Sequence, residues 1–278
     1  MPTQAEKGQV FRALHERDQA FIIPNPWDAG TARLLAHLGF EALATTSAGY
    51  AFSVGRRDNT TDRSEMMAHV AKIVSATDLP VSADLENGFG DSPEIVAETI
   101  RLAAASGLAG CSIEDMSSEN MHGQPGHAIY EHEHAVDRIR AAVEVARALP
   151  FAFTLTARAE NYLVGKPDLK DTIRRLQAYQ TAGANVLYAP GLTSKADIAA
   201  VVSSVDRPVN VVMGLQGVQL SLAELSAIGV KRVSVGSALS RAALGAFLRA
   251  AREMREHGTF TFAEEAVSYR DISAMFEP

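Results

Sequence analysis

Cysteine is nearly absent from this sequence of 278 residues: Cys111 is the single one, which excludes an internal disulfide and a cysteine-rich zinc site. Lysine and arginine number 26 against 33 acidic residues, the formal net charge is -7, and no basic block stands out, which argues against a nucleic-acid partner. No apolar run is long enough to span a bilayer, and the N-terminus lacks the apolar stretch of a signal peptide. We therefore expect a cytoplasmic protein with no membrane partner.

Hydrophobic residues make up 47% of the chain, which is enough for a large core. Short strand-like runs alternate with amphipathic segments, several of which end in glycine just before the next run. The runs lie at residues 21–24, 42–46, 80–83, 109–113, 152–156, 185–188, 209–213 and 232–235. Several are apolar on both faces, as in a parallel sheet covered by helices. The pattern predicts an α/β fold, a (β/α)8 TIM barrel formed as a single domain by residues 1–278, with a C-terminal helical extension.

Two acidic clusters follow strand-like runs. Asp84 and Glu86 come after the third run, and Glu114 and Asp115 after the fourth. Carboxylates gathered at one end of a barrel repel each other unless a cation lies among them, and ligand sets made of oxygen favour Mg²⁺ or Mn²⁺ over zinc. Either cluster alone is explained equally well by solvated loop acids, with Asp115 as a helix cap. The metal hypothesis therefore rests on the two clusters together.

Other strand ends carry groups that suit a small anion. The small residues Ser47-Ala48-Gly49 would let backbone N–H groups approach an oxyanion, or they form a plain strand-to-loop turn. Arg158 ends the fifth run, where it could bind a carboxylate or form a structural pair with Glu160 or Asp115. Asp58 follows the second run, on a loop suited to a mobile lid, or it is a solvated loop acid.

Histidines are concentrated in one polar stretch of the chain, at His122, His127, His132 and His134. No pair has the helical spacing of a zinc protease, so we expect no second metal site here. Loop histidines are the simpler interpretation, with His122 or His127 as an acid/base group on a closing loop.

Several of these segments together resemble the isocitrate lyase/phosphoenolpyruvate mutase superfamily, nearest to its short phosphonomutase-like and methylisocitrate-lyase-like members. The resemblance runs from about Asn25 to the helix after Ser237. The segments that carry it are Pro26-Trp27-Asp28-Ala29, Thr46-Ser47-Ala48-Gly49, Gly55-Arg56-Arg57-Asp58, Asp84-Leu85-Glu86-Asn87-Gly88-Phe89-Gly90, Ile113-Glu114-Asp115 and Thr156-Ala157-Arg158.

The resemblance implies a site for a metal-bound 2-oxo acid. Mg²⁺, with Mn²⁺ as a substitute, would be held by Asp84, Glu86 and Glu114, directly or through water. The substrate would be bound by the amides of Ser47, Ala48 and Gly49 and by Arg158, and the catalytic residues would be Asp58, Arg158 and Ser47. The distal part of the substrate would lie near Asn210 and Arg241.

The resemblance also implies an assembly. We expect a homotetramer, a dimer of dimers, in which the C-terminal helical region of residues 237–278 is exchanged between subunits. Its apolar-rich end, residues 260–276, is the candidate for contacts with a neighbouring subunit.

The sequence departs from the superfamily's carboxyl-lyases on the loop after the fourth strand. Those enzymes carry a Lys-Lys/Arg-Cys-Gly-His motif whose cysteine is the general acid, whereas residues 116–127 contain no cysteine and Asn120 is a loose match to the phosphonopyruvate-using pattern. Glu86 stands where aspartate is usual, and Ala189-Pro190-Gly191 replaces a Pro-Glu pair. The groups that would hold an enolate are present, while those that select the leaving group have changed.

Three functions are therefore considered. The first is an Mg²⁺-dependent lyase or decarboxylase that cleaves a small 2-oxo or 2-hydroxy dicarboxylate through a pyruvate-like enolate. The second is a phosphonopyruvate hydrolase or phosphoenolpyruvate phosphonomutase, which would act on a C–P bond at the same site. The third is a non-catalytic 2-oxo acid binder that retains the site without the loop chemistry.

Overall fold

The computed structural model describes residues 2–117 and 129–277, and it contains one eight-stranded sheet. All paired strands are parallel, in the order β1-β8-β7-β6-β5-β4-β3-β2. The strands are β1 (Phe21–Ile23), β2 (Leu43–Ala44), β3 (Val81–Asp84), β4 (Gly110–Glu114), β5 (Thr154–Arg158), β6 (Val186–Tyr188), β7 (Val209–Val212) and β8 (Arg232–Ser234). The N–H of Ala44 donates to the carbonyl of Pro24 at 3.0 Å, so β2 also reaches the end of β1. This arrangement confirms the predicted (β/α)8 barrel.

Helices connect the strands and surround the sheet. They are α1 (Gln4–Glu16), α2 (Ala29–His37), α3 (Ser47–Ser53), α4 (Arg63–Ser75), α5 (Pro93–Ala105), α6 (His132–Ala148), α7 (Leu169–Ala182), α8 (Lys195–Ser203), α9 (Leu222–Ala227), α10 (Ala238–His257) and α11 (Tyr269–Ala274). Side-chain caps fix several starting points: Asp28 accepts from the N–H of Thr31 at 2.7 Å, and Ser92 caps the helix that begins at Pro93. No helix in the described part of the chain is long and apolar enough to cross a membrane.

The apolar core lies between the sheet and the helices, whereas part of the barrel interior is polar. Core side chains with no exposed surface include Leu43, Met66, Ile73, Ile100, Leu108, Ile113, Leu155 and Leu176. Inside the barrel, Thr156, Asn210 and Arg232 are buried and hydrogen-bonded to one another across three strands. Buried polar groups need such partners because an unpaired one costs stability. The interior therefore forms a polar layer beneath the C-terminal ends of the strands.

The last long helix, α10, leaves an apolar face uncovered in the single chain. The side chains of Phe247 and Leu248 are 66% and 47% exposed, and Phe260 after the helix is 65% exposed. An apolar surface of this kind, on a helix that follows the eighth strand, is typical of an interaction site.

Candidate active site

A cavity of about 230 Å³ opens at the C-terminal ends of the strands, where TIM-barrel enzymes place their active sites. The structure brings most of the predicted site residues to this cavity. Those that line it are Ser47, Ala48, Asp58, Asp84, Glu114, Arg158, Asn210 and Arg241. Gly49 is buried inside α3, and Glu86 is buried behind the cavity wall at 4% exposure. The structure thus places eight of the ten predicted residues around one cavity, and the roles assigned to them remain predictions.

Arg158 lies at the centre of the acidic cluster and contacts three carboxylates. Its Nη1 lies 2.9 Å from Oδ1 of Asp84, its Nη2 lies 2.9 Å from Oε2 of Glu114, and its Nε donates to Oε1 of Glu160 at 2.8 Å. Burial alone would lower the pKa of the guanidinium, but these carboxylates outweigh it and raise the pKa well above its usual value. The structural pair with Glu160, considered above as an alternative, is therefore present together with contacts to the proposed metal ligands.

Asp115 belongs to a separate buried network. Its carboxylate accepts from the hydroxyl of Tyr179 at 2.6 Å, from the guanidinium of Arg175 at 3.1 Å and from the N–H of Glu160 at 2.8 Å. The two expectations that Asp115 caps a helix or pairs with Arg158 are therefore wrong, because its side chain points away from the cavity into contacts with α7. The network fixes the backbone of Glu160, and through it the loop that follows β5.

Ser47 stands at the start of α3, which is preceded by Thr46 as its side-chain cap. The Oγ of Ser47 donates to Oδ2 of Asp84 at 2.8 Å, and its N–H donates to the same oxygen at 3.3 Å. The predicted turn over Ser47, Ala48 and Gly49 is thus the first turn of a helix, whose N–H groups attract anions. Of these groups, the N–H of Ser47 contacts the Asp84 carboxylate, whereas the N–H of Gly49 donates to Oγ1 of Thr46 at 3.2 Å.

Glu86 occupies a constrained backbone position on the loop after β3. Its φ of 51° lies in the left-handed region, which is uncommon outside glycine, and its buried Oε1 has no hydrogen-bond partner among residues 2–117 and 129–277. Burial first, and then the charges of Asp84 and Asp58, raise the pKa of Glu86 to about 8. The loop is held from outside by Arg138, whose guanidinium donates to the carbonyls of Asn87, Gly90 and Asp91.

The remaining acids of the cluster also hold protons more tightly than usual. Burial raises the pKa of Glu114 well above its normal value and that of Glu160 to about 7. Asp58 lies at the mouth of the cavity, where burial of its carboxyl group and the charge of Asp84 raise its pKa. One arginine therefore faces more carboxyl groups than it can neutralise, and part of the cluster is protonated near neutral pH.

Within residues 2–117 and 129–277, no three histidine, cysteine or carboxylate side chains converge as a ready-made set of metal ligands. The side chains nevertheless fit a divalent cation, because in the described part of the chain Glu86 Oε1 and Glu160 Oε2 are buried carboxylate oxygens with no hydrogen-bond partner, and both lie in an acid-rich cluster. Oxygen donors of this kind suit Mg²⁺ or Mn²⁺. Asp84 and Glu114 would exchange part of their contact with Arg158 for the ion.

Two predicted substrate-binding residues lie on the other side of the cavity. Arg241 is exposed at the rim, and its Nε donates to Oγ of Ser237 at 3.2 Å. Asn210 is buried, and both ends of its amide are engaged, with Nδ2 donating to Ser234 at 3.0 Å and Oδ1 accepting from Arg232 at 2.8 Å. Both ends of the Asn210 amide are therefore engaged by protein groups.

Sequence reasoning did not single out Tyr188 and Arg232, which also line the cavity. The Tyr188 ring lies beside Arg158, with its centroid 5.2 Å from the guanidinium carbon, and burial raises its pKa to about 12. Both residues lie within short strands that read as apolar structural runs. The available signal was a polar residue at the end of each run, since Tyr188 is the last residue of β6 and Arg232 is the first of β8.

The loop on which the chemistry of the leaving group was expected lies partly outside the described residues. This applies to Asn120, His122 and His127. Of the other two histidines, His134 contacts the carbonyl of Asp91 through Nε2 at 2.9 Å, and His132 lies 3.1 Å from Glu133 at the start of α6.

Comparison with known proteins places the chain in a family. A profile of the phosphoenolpyruvate phosphomutase family matches residues 11–255. An uncharacterised protein of Mycobacterium tuberculosis is 31% identical over 252 residues, covering 88% of this chain and 89% of that protein. The oxaloacetate decarboxylase of Pseudomonas paraeruginosa is 30% identical over 248 residues, covering 88% and 84%. The 2-methylisocitrate lyase of Salmonella typhimurium is 34% identical over 191 residues, covering 67% and 63%.

Solved structures give the same result. The crystal structure of a candidate lyase/mutase from Burkholderia cenocepacia has a TM-score of 0.94 and 66% identity, covering 98% of this chain and 97% of that one. Oxaloacetate acetylhydrolase in complex with oxalate has a TM-score of 0.86 and 25% identity, covering 99% and 95%. The resemblance inferred from the sequence motifs is thus confirmed: the chain belongs to the phosphoenolpyruvate phosphomutase family, within the isocitrate lyase/phosphoenolpyruvate mutase superfamily.

Proposed function

We propose that the protein is a divalent-metal-dependent lyase that cleaves a carbon–carbon bond in a small 2-oxo or 2-hydroxy dicarboxylate. The observation that carries this proposal is the arrangement around Arg158, which is surrounded by Asp84, Glu114 and Glu160 beside the N-terminus of α3. Relatives named as oxaloacetate decarboxylase and 2-methylisocitrate lyase support the same class of reaction.

The side chains of the cavity suggest how an enolate would form. Arg158 and the first amides of α3 would bind the carboxylate next to the 2-oxo group, since a guanidinium and a helix N-terminus both favour anions. Asp84, Glu114 and Glu86 would hold Mg²⁺. The ion, when bound, supplies electrostatic stabilisation of developing negative charge on the substrate's carbonyl oxygen.

Asp58 is the candidate acid/base group of the cleavage. It lines the cavity mouth, and its raised pKa lets it hold a proton nearer to neutral pH than a solvated aspartate does. For oxaloacetate, breaking the bond between C3 and C4 would release CO₂ and leave the electron pair on the three-carbon enolate. A proton delivered to C3 would then complete pyruvate.

Turnover of a panel of 2-oxo and 2-hydroxy dicarboxylates tests the proposal. We expect the purified protein to release pyruvate from oxaloacetate, or a 2-oxo acid from an alkylmalate, with Mg²⁺ or Mn²⁺ present and to lose this activity in EDTA. Restoration by added Mg²⁺ controls for damage by the chelator. Absent or metal-independent turnover across the panel would contradict the proposal.

The other two functions are outcomes of the same experiment. Release of phosphate from phosphonopyruvate, lost in Asp58→Ala, would indicate C–P chemistry instead. A thermal shift with oxalate and Mg²⁺, without turnover of any compound, would indicate a binding protein.

We also propose that the protein is a homotetramer in which α10 packs on a neighbouring subunit. The exposed Phe247 on α10 motivates this, because a single chain leaves it 66% accessible. We expect sedimentation to show a tetramer and Phe247→Glu to shift it towards smaller species, since burying a carboxylate at an apolar interface is costly. Glu256→Lys, at another exposed position of the same helix, is the control for a change of charge. A monomeric wild type would be incompatible with this assembly.

A further inference from the structure

Arg232 is a buried cation with no carboxylate partner in the part of the chain that the structure describes. Its side chain is 4% exposed, and its three hydrogen-bond partners are neutral: Oδ1 of Asn210 at 2.8 Å, Oγ1 of Thr156 at 3.0 Å and Nε2 of His15 at 3.4 Å. His15 accepts through Nε2 because its Nδ1 faces the carbonyl of Phe11 at 2.8 Å. No acid among residues 2–117 and 129–277 forms an ion pair with Arg232.

Such an arrangement is costly in the protein without a ligand. Burial lowers the pKa of Arg232 to about 10, which reports the penalty on its charged form. Proteins normally offset a buried guanidinium with a carboxylate, as this chain does for Arg158 and Arg175. Among the described residues, three of the five N–H groups of Arg232 have hydrogen-bond partners, which leaves two that can donate to an anion.

Arg232 lies at the floor of the proposed active-site cavity and is one of its lining residues. Its Nη2 contacts Thr156, two residues before Arg158 on β5 and therefore about 6–7 Å lower along the strand. Strand β8 lies three strands from β5 in the sheet. The cavity thus has an acidic side around Arg158, where a metal and the 2-oxo head would bind, and a cationic floor at Arg232.

We infer that Arg232 binds the second acid group of the substrate and so makes the pocket selective for dicarboxylates. This assignment rests on the proposed function and locates the contact at the cavity floor, not at the exposed Arg241 on the rim. Asn210, whose amide is held between Arg232 and Ser234, is a positioning residue for the guanidinium. An anionic ligand would supply the charge that Arg232 otherwise lacks.

Matched ligand pairs measure this contact directly. Malate and 2-hydroxybutyrate share the 2-hydroxy acid head and differ in that a methyl group replaces the second carboxylate. Calorimetric titration in the presence of Mg²⁺ should show wild type preferring malate, and Arg232→Met should lose about 10- to 100-fold of that preference, as expected for a buried hydrogen bond to a charged group. Arg232→Lys, which retains the charge, should recover part of it.

Three measurements separate this role from loss of folding. Oxalate, which occupies only the head of the site, should bind wild type and Arg232→Met with similar affinity. The exposed control Arg207→Met should keep the preference for malate. Arg241→Met tests the competing assignment at the rim and should lose less of the preference than Arg232→Met does. Should Arg232→Met fail to fold, Arg232→Lys still tests the inference. Its preference for malate should lie below that of wild type, because a lysine keeps the charge but lacks the fork of N–H donors, and a preference equal to that of wild type would overturn the inference.

The outcomes also separate the inference from the proposed function. If oxalate does not bind wild type with Mg²⁺, the proposed function fails. If oxalate binds but both Arg232 variants prefer malate as wild type does, or if Arg241→Met alone removes the preference, the inference is overturned and the proposed function stands.

Discussion

Replacing Arg158 with methionine should reduce kcat/KM by about 10²- to 10⁴-fold, the equivalent of roughly 3–5 kcal/mol for a charged group removed from a buried ionic cluster. Arg158 contacts Asp84, Glu114 and Glu160 together. Methionine has a similar length but cannot donate to the substrate carboxylate. The loss should appear mainly as weaker binding of the 2-oxo acid head, measured with oxalate.

The same variant should still bind metal. Without the guanidinium, Asp84 and Glu114 have no competing cation, so Mg²⁺ should bind at least as tightly as in wild type at alkaline pH. The protein should remain folded near pH 7, since Glu114 and Glu160 already have raised pKa values and can take up protons. An enzyme that loses turnover while keeping its metal indicates that Arg158 acts on the substrate.

Two further variants define what Arg158 contributes. Arg158→Lys should restore little activity, because a lysine cannot reach three carboxylates with the fixed fork of a guanidinium. Arg174→Met is the matched control, since Arg174 is 62% exposed and pairs only with Asp171 on the surface of α7. If the activity of Arg158→Met were within a few fold of that of the control, Arg158 would have no role in the reaction.

The barrel and much of the cavity lining could be predicted from the sequence for a physical reason. Parallel strands buried under helices must be short and apolar, so their spacing is visible, and their C-terminal ends must meet at one edge. Asp84 and Arg158 are the last residues of their strands, so placing the strands also placed these side chains. The alternation of strands and helices along the chain thus indicated which side chains lie at the cavity.

Which side chains pair with each other was harder to predict from the sequence. Asp115 follows Glu114 directly, yet it turns away to Arg175 and Tyr179, because consecutive residues at a strand end point in opposite directions. Arg232 looked like part of an apolar run, and only three-dimensional contacts show that its partners come from β5, β7 and α1. The residues that sequence reasoning missed are those whose significance lies in long-range contacts.

Mg²⁺ binding should become weaker as the pH falls below 8. The pKa of Glu86 is raised to about 8 by burial and by its acidic neighbours, so most of the Glu86 side chain is protonated at pH 6 in the metal-free protein. A cation must displace that proton, which reduces apparent affinity by about tenfold per pH unit below the pKa. From pH 8 to pH 6 we expect about a 50-fold loss, or roughly 2 kcal/mol of stabilisation by the metal, because half of the Glu86 side chain is already protonated at pH 8.

The stability of the metal-free protein depends on pH in the opposite direction. A carboxyl group whose pKa is higher folded than unfolded stabilises the fold most below its unfolded value of about 4.5, and this contribution is lost as the pH rises to 8. The melting temperature without Mg²⁺ should therefore fall between pH 6 and pH 9, while the increase on adding Mg²⁺ should grow. Glu86→Gln should flatten both dependences, because an amide carries no charge at either pH.

Titration of Mg²⁺ in buffers of different ionisation enthalpy measures the proton directly. Near pH 7 we expect wild type to release close to one proton from Glu86 per ion bound, with a smaller amount from Glu160, whose pKa is raised to about 7. Glu86→Gln should release less, and the exposed control Glu98→Gln, a partner of Arg101, should behave as wild type. Proton release that is unchanged in Glu86→Gln would mean that the metal does not reach Glu86, and that the residue shapes the loop after β3 without contacting the ion.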